Sequence, residues 1–173
     1  MSDRSRDAAQ PVDPDVEVSP RPLPHPWHLV RSNLDLLPVI AVGGALGSLA
    51  RWGLGTALPH TSAQFAWSTF LTNASGAFLL GVLMALALDV WSHHRYTRPF
   101  LGTGVLGGYT TFSTYLLDTR GLLAAGRPGI AAIYLFGTVA VGVVAVIAGL
   151  AIGRSMVRGR AAGDRALDRE AAR

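Results

Sequence analysis

The chain has 173 residues, half of them hydrophobic, and a net charge of +4 set by fifteen arginines, with no lysine and no cysteine. Without cysteine, disulfides, thiolate metal sites and Cys nucleophiles are excluded. The arginines gather in the tails and one loop, the pattern of a membrane protein's cytoplasmic ends rather than of a nucleic-acid surface, so no nucleic-acid partner is expected.

Residues 1–34 carry Pro11, Pro14, Pro20, Pro22, Pro24 and Pro26 and no apolar core segment. That composition predicts an extended, disordered tail and excludes a signal peptide. Four spans follow, over Leu36–Leu58, Phe65–Val90, Phe100–Ala125 and Ile130–Gly153. No Asp, Glu, Lys or Arg interrupts Phe65–Leu88 or Gly129–Gly153. A bilayer core of roughly 30 Å takes about 20 apolar residues in a helix, and both windows are long enough. The expected fold is therefore an all-α membrane protein with a four-span domain over residues 35–153. Its links are short, which makes consecutive spans antiparallel neighbours. Residues 154–173 form a polar C-terminal tail whose alternating Arg and Asp/Glu suit a surface helix.

In span one, Gly43, Gly44 and Gly47 allow a neighbouring backbone to approach closely, as do Gly76 and Gly81 in span two and Gly137 and Gly142 in span four. Arg51 is the one charge inside span one. It lies late in the span, so it either faces an aqueous vestibule or snorkels to the interface. Span two carries Thr69, Thr72, Asn73 and Ser75; Thr69 and Asn73, four residues apart, share a helix face. They offer hydroxyl and amide donors, either to a neighbouring helix or to a pore. Span three concentrates glycines and hydroxyl residues from Gly102 to Tyr115, a poor helix at mid-membrane. A break there is tolerated only inside protein or beside a cavity, and it frees carbonyls as ligands for a hard cation.

These segments resemble the motifs of one family. Gly43-Gly-Ala-Leu-Gly-Ser-Leu-Ala-Arg51-Trp, Trp67-Ser-Thr-Phe-Leu-Thr-Asn73-Ala-Ser-Gly76 and Gly107-Gly-Tyr-Thr-Thr-Phe112-Ser-Thr-Tyr115 resemble, in order, the first three helices of the Fluc/CrcB fluoride channels. The resemblance covers about residues 38 to 153. It implies an antiparallel dimer with two fluoride pores, a third helix broken at mid-membrane and a central structural sodium ion that is not transported. It implies export of fluoride down its gradient, which lowers its toxicity in the cell. Asn73 matches the pore asparagine, and Thr69 a hydroxyl on the same track. Phe112 matches the first of two pore phenylalanines; Tyr115 stands where the second is usual. Tyr134 and Thr138 resemble a tyrosine and a hydroxyl residue beside the pore. Gly107 and Thr110 match positions whose carbonyls hold the sodium, and Arg51 matches a vestibule arginine.

Two other classes fit less well. A small proton-coupled multidrug exporter needs a carboxylate within a span, and here Asp89 and Asp118 lie near span ends. An enzyme needs a nucleophile or metal set, yet His25, His28, His60, His93 and His94 all fall in tails or loops. Charge also bears on orientation. Both tails and the Trp91–Pro99 loop share one side of the membrane and hold twelve arginines; the other side holds Arg51, Arg120 and Arg127. The positive-inside rule then places both termini in the cytoplasm of a multi-pass cell-membrane protein. So strong a bias opposes insertion in both directions, so the expected dimer partner is either this chain itself or a related second subunit of opposite orientation.

Overall fold

The computed structural model describes residues 33–89 and 95–171, and among these it contains helices and no strand. All but the last two residues of the expected N-terminal tail lie outside the described residues. Helix α1 is Leu36–Ala57 and α2 is Trp67–Asp89. Span three opens as a π-helix over Pro99–Leu106, which continues into a single α turn, Gly107–Tyr109; the two together are α3. Helix α4 is Ser113–Ala124, and α5 is Pro128–Ala171.

The 22 residues of α1 reach about 33 Å at 1.5 Å per residue, enough to cross a bilayer. Among the described residues, Leu36–Ala57, Trp67–Leu86 and Pro128–Gly159 are the three helical stretches long and apolar enough to span alone. The third span escapes that description because it is two half-helices, α3 and α4, joined at a break. The protein is thus an all-α membrane protein whose third transmembrane helix is broken, as the sequence predicts. The last helix does not stop at Gly153: it runs unbroken to Ala171, so the polar segment read as a separate tail prolongs the span's own helix.

Helices α2 and α5 make the most extensive pairing, and α1 packs along α3. Glycine sets both distances. A Cβ on Gly43 would lie 2.5 Å from the Phe100 carbonyl oxygen, and one on Gly47 would run into the Val105 carbonyl. On the other pair, Gly81 meets the Val146 carbonyl and Gly149 meets that of Phe78. In lipid there is no hydrophobic exclusion to drive association, so such backbone approach supplies the van der Waals contact that holds helices together. Gly137 and Gly142 depart from this expectation: a Cβ on either would have nothing within 4 Å. Gly137 shares its face of α5 with the exposed Ile133, Phe136 and Val144, and Gly142 lies on the opposite side of the helix.

The α4–α5 turn is a Schellman closure. Gly126 takes φ 71°, the Arg127 N–H bonds the Leu122 carbonyl and the Gly126 N–H bonds that of Leu123, each at 3.0 Å. Pro128 then opens α5, at the position where a missing N–H costs nothing. At the far end, Asp35 accepts from Arg95 at 2.9 Å and from Tyr96 at 2.8 Å, tying the starts of α1 and α3.

Candidate functional site

The break in span three is held by one side chain. Thr110 turns extended, with φ −77° and ψ 158°. In an unbroken helix the Thr111 N–H would bond the Gly107 carbonyl. Instead it donates to Asn73 Oδ1 at 2.9 Å, while Asn73 Nδ2 donates to the Thr111 carbonyl oxygen at 2.9 Å. Both main-chain groups of Thr111 are thereby satisfied by the α2 amide, which meets the demand that lipid makes of freed backbone. The Gly107 carbonyl loses its helical donor in the exchange. The Thr111 hydroxyl accepts from the Thr114 N–H at 3.2 Å and so starts α4. One N–H of the Asn73 amide remains beyond this pair.

Thr111 also separates two cavities. The first, of about 450 Å³, is walled by Asn73, Gly107, Thr110, Phe112, Tyr115 and Thr138 among largely apolar neighbours. The second, of about 480 Å³, is polar and holds Arg51, His60, Ser68, Thr69, Thr72 and Thr114. Thr69 and Asn73, one turn apart on α2, therefore open into different cavities on either side of the break. Arg51 lines this cleft, and no carboxylate pairs with it among the described residues.

Tyr115 is buried, and its hydroxyl donates to the Leu135 carbonyl oxygen of α5 at 2.5 Å. The ring nevertheless borders the first cavity, with its centroid 5.9 Å from that of Phe112. The hydroxyl that departs from the family's phenylalanine is thus spent on α5. Tyr134 is fully buried and lines neither of the two cavities. Its ring meets Phe65 edge-on at 5.0 Å and the tilted Tyr115 ring at 5.5 Å, and its hydroxyl donates to Asp118 Oδ2 at 3.2 Å. The Thr138 hydroxyl turns back to the Tyr134 carbonyl at 2.6 Å.

Sequence reasoning missed Thr111, Ser68, His60 and Asp118. The sequence marks His60 only as a loop histidine with no nucleophile beside it, and Asp118 only as a residue near a span end. The structure joins them: His60 Nε2 lies 3.3 Å from Asp118 Oδ1, and the Ser68 hydroxyl lies 3.4 Å from His60 Nδ1. A chain of polar contacts thus runs from Ser68 through His60 and Asp118 to Tyr134. One signal was available, because Asp118 follows Tyr115 by three residues and so shares its face of α4. Nothing local could have joined His60 to a residue 58 positions away.

The fold and cavities define a small multi-span membrane protein with a polar vestibule and an aromatic-walled cavity meeting at a helix break. The family model described as CrcB-like protein, Camphor Resistance (CrcB), matches residues 38–150, and the chain belongs to that family. It is 44% identical over 124 residues to the fluoride-specific ion channel FluC 3 of Streptomyces avermitilis, covering 72% of this chain and 61% of that relative's length. It is 44% identical to FluC 2 of Nocardia farcinica, covering 71% of this chain and 85% of the relative. To the FluC channel of Thermus thermophilus it is 42% identical, covering 69% of this chain and 95% of the relative.

Proposed function

We propose that this protein is a fluoride channel of the cell membrane, working as an antiparallel dimer that lets fluoride leave the cell down its gradient. The relatives are named as fluoride-specific channels, and the chain is a channel subunit rather than an enzyme. The observation that carries the reading is the Asn73–Thr111 pair, which stands between the Arg51 vestibule and the cavity of Phe112 and Tyr115. Fluoride holds its water tightly, and a pore must replace that water with donors. The spare Asn73 N–H and the Thr69 hydroxyl are such donors. The edges of Phe112 and Tyr115 add partial positive charge. Arg51 raises the anion concentration at the mouth.

A structural sodium fits the same reading. No three His, Cys, Asp or Glu side chains come together among the described residues, so a cation at the break would rest on main-chain oxygens. The Gly107 carbonyl has lost its helical donor to Asn73, and the extended Thr110 frees a second oxygen in the same turn. Carbonyl oxygens suit a hard cation. Bound there, the ion would supply fixed positive charge beside the pore.

The test is fluoride efflux from liposomes holding the purified protein, with chloride as control. Efflux of fluoride and not chloride is expected. Asn73→Asp, which removes both N–H donors and faces the Thr111 carbonyl with a carboxylate, is expected to cut efflux on the order of tenfold or more. Equal efflux from assembled Asn73→Asp protein would remove Asn73 from the pore.

A further inference from the structure

The vestibule contains one group that can change its charge without leaving its place. His60 sits in the α1–α2 loop, with its side chain about a quarter exposed at 23%. Its two ring nitrogens face opposite kinds of partner. Nε2 faces Asp118 Oδ1 at 3.3 Å, and an ionised carboxylate only accepts. Nε2 therefore carries hydrogen in every protonation state of the ring. Nδ1 faces the Ser68 hydroxyl at 3.4 Å, and a hydroxyl both donates and accepts. While the ring is neutral, Nδ1 is a bare acceptor and engages the Ser68 O–H. Once the ring takes a proton from water, Nδ1–H becomes the donor. Ser68 must then accept, and its own hydrogen turns away into the cleft beside Thr69 and Thr72.

The charges around the ring favour the same outcome. Arg51 from α1 shares the cleft with His60, and Arg127 at the α4–α5 turn shares the neighbouring one. Ser68 faces the ring from α2. Asp118 faces it from α4, and Tyr134 from α5 stands behind that carboxylate. Asp118 is the one acid in this group. With a neutral ring its charge opposes the two arginines. With a charged ring the His60–Asp118 pair is neutral, and the arginines act on an arriving anion unopposed. Both changes, a freed hydroxyl donor and a more positive mouth, make an anion more welcome.

We propose that His60 is a proton-controlled positioning residue of the vestibule, which on protonation releases the Ser68 hydroxyl toward fluoride and cancels the Asp118 charge, so that fluoride flow rises as pH falls. The inference rests on the channel reading above and adds its regulation. Histidine side chains as a class change charge between about pH 5 and 8, which sets the range to examine. The experiment measures fluoride efflux from potassium-loaded liposomes at matched internal and external pH, once at about 7.5 and once at about 5.5. Only the efflux that requires valinomycin is counted, because hydrogen fluoride crosses lipid as a neutral molecule. The wild-type ratio of acid to neutral efflux is expected to be about threefold or more, a part of the roughly tenfold or greater effect a fully charged cleft has on local ion concentration. His60→Gln, which bonds but does not titrate, is expected to bring the ratio near one. Ser68→Ala keeps the charge change without the donor, and its ratio is expected to fall between the two.

Fluoride efflux equal at both pH values would overturn this inference and leave the channel reading standing. Absence of fluoride efflux at either pH would overturn the channel reading itself. If His60 only braced the loop, His60→Gln would lower efflux at both pH values and keep the wild-type ratio, which also overturns the inference. Should His60→Gln not assemble, Ser68→Ala decides: a ratio equal to wild type would overturn the proposal, and a reduced one supports it.

Discussion

At the residue scale, Tyr115 shows how a departure from a family pattern is absorbed. Its hydroxyl is spent on the Leu135 carbonyl, and its ring stays beside Phe112. Tyr115→Phe removes one hydrogen bond, worth about 1 kcal/mol, and keeps the ring. It is expected to retain fluoride transport. Tyr115→Ala empties a buried aromatic site at about 3–5 kcal/mol by comparison with other aromatic truncations. It is expected to lose most transport in the liposome assay, and an alanine variant as active as the phenylalanine one would reduce the ring to packing. The sequence marked Tyr115 as a pore ring because motifs carry residue types. The destination of its hydroxyl was not legible, since Leu135 lies on another helix. Asn73 was legible as a polar group on the Thr69 face, with packing and pore roles both open. The structure gives it two bonds to the break and leaves a donor over, so the two roles coexist in one amide.

At the element scale, the four spans and the break were readable because charge-free windows and glycine clusters are local. The π winding of Pro99–Leu106 was not, because it depends on how α3 seats against α1 at Gly43 and Gly47. The helical continuity across Gly153 was not readable for a related reason: loss of apolar character ends a span, but nothing after Gly153 ends a helix before Ala171. Gly126 is a local device with a local test. At φ 71° an L side chain is strained, so Gly126→Ala is expected to destabilise the α4–α5 turn by about 1 kcal/mol, read as a lower thermal midpoint of the detergent-solubilised protein. The break offers another. If the Gly107 and Thr110 carbonyls hold sodium, activity or assembly is expected to fall when sodium is replaced by a large organic cation. A bulky residue at Gly107 is expected to harm both more than a change of the Thr110 side chain. Equal behaviour in the two cations would sink the sodium site.

At the scale of the whole molecule, the arginine count and the open α5 face pose one question. A Cβ on Gly137 or Gly142 would meet nothing within 4 Å in the single chain, and Ile133, Phe136 and Val144 of the same helix are exposed. Lipid or a second subunit can cover that face, and the proposed antiparallel dimer takes the latter. The arginine bias predicts that this chain inserts with both termini in the cytoplasm. A cysteine engineered into either tail is then expected to resist an impermeant thiol reagent in intact cells, and the proposed dimer would then need a related subunit of opposite bias. Labelling of about half the copies from outside would instead establish dual insertion and a homodimer. The cysteine-free sequence makes the experiment clean, because no native thiol competes.

The Asn73–Thr111 pair has a consequence for how the break could be watched in solution. Within α3 and α4 the amide protons are guarded from inside the span, by main chain along the helices and by the Thr111 hydroxyl at Thr114. The Thr111 amide proton is guarded by a side chain from a different helix. Its exchange with deuterated solvent therefore clocks the separation of α2 from the break and nothing else. In Asn73→Ala protein that single proton is expected to exchange faster while the amides of α4 keep their protection, which makes Thr111 a built-in reporter of whether the two half-helices remain anchored to α2.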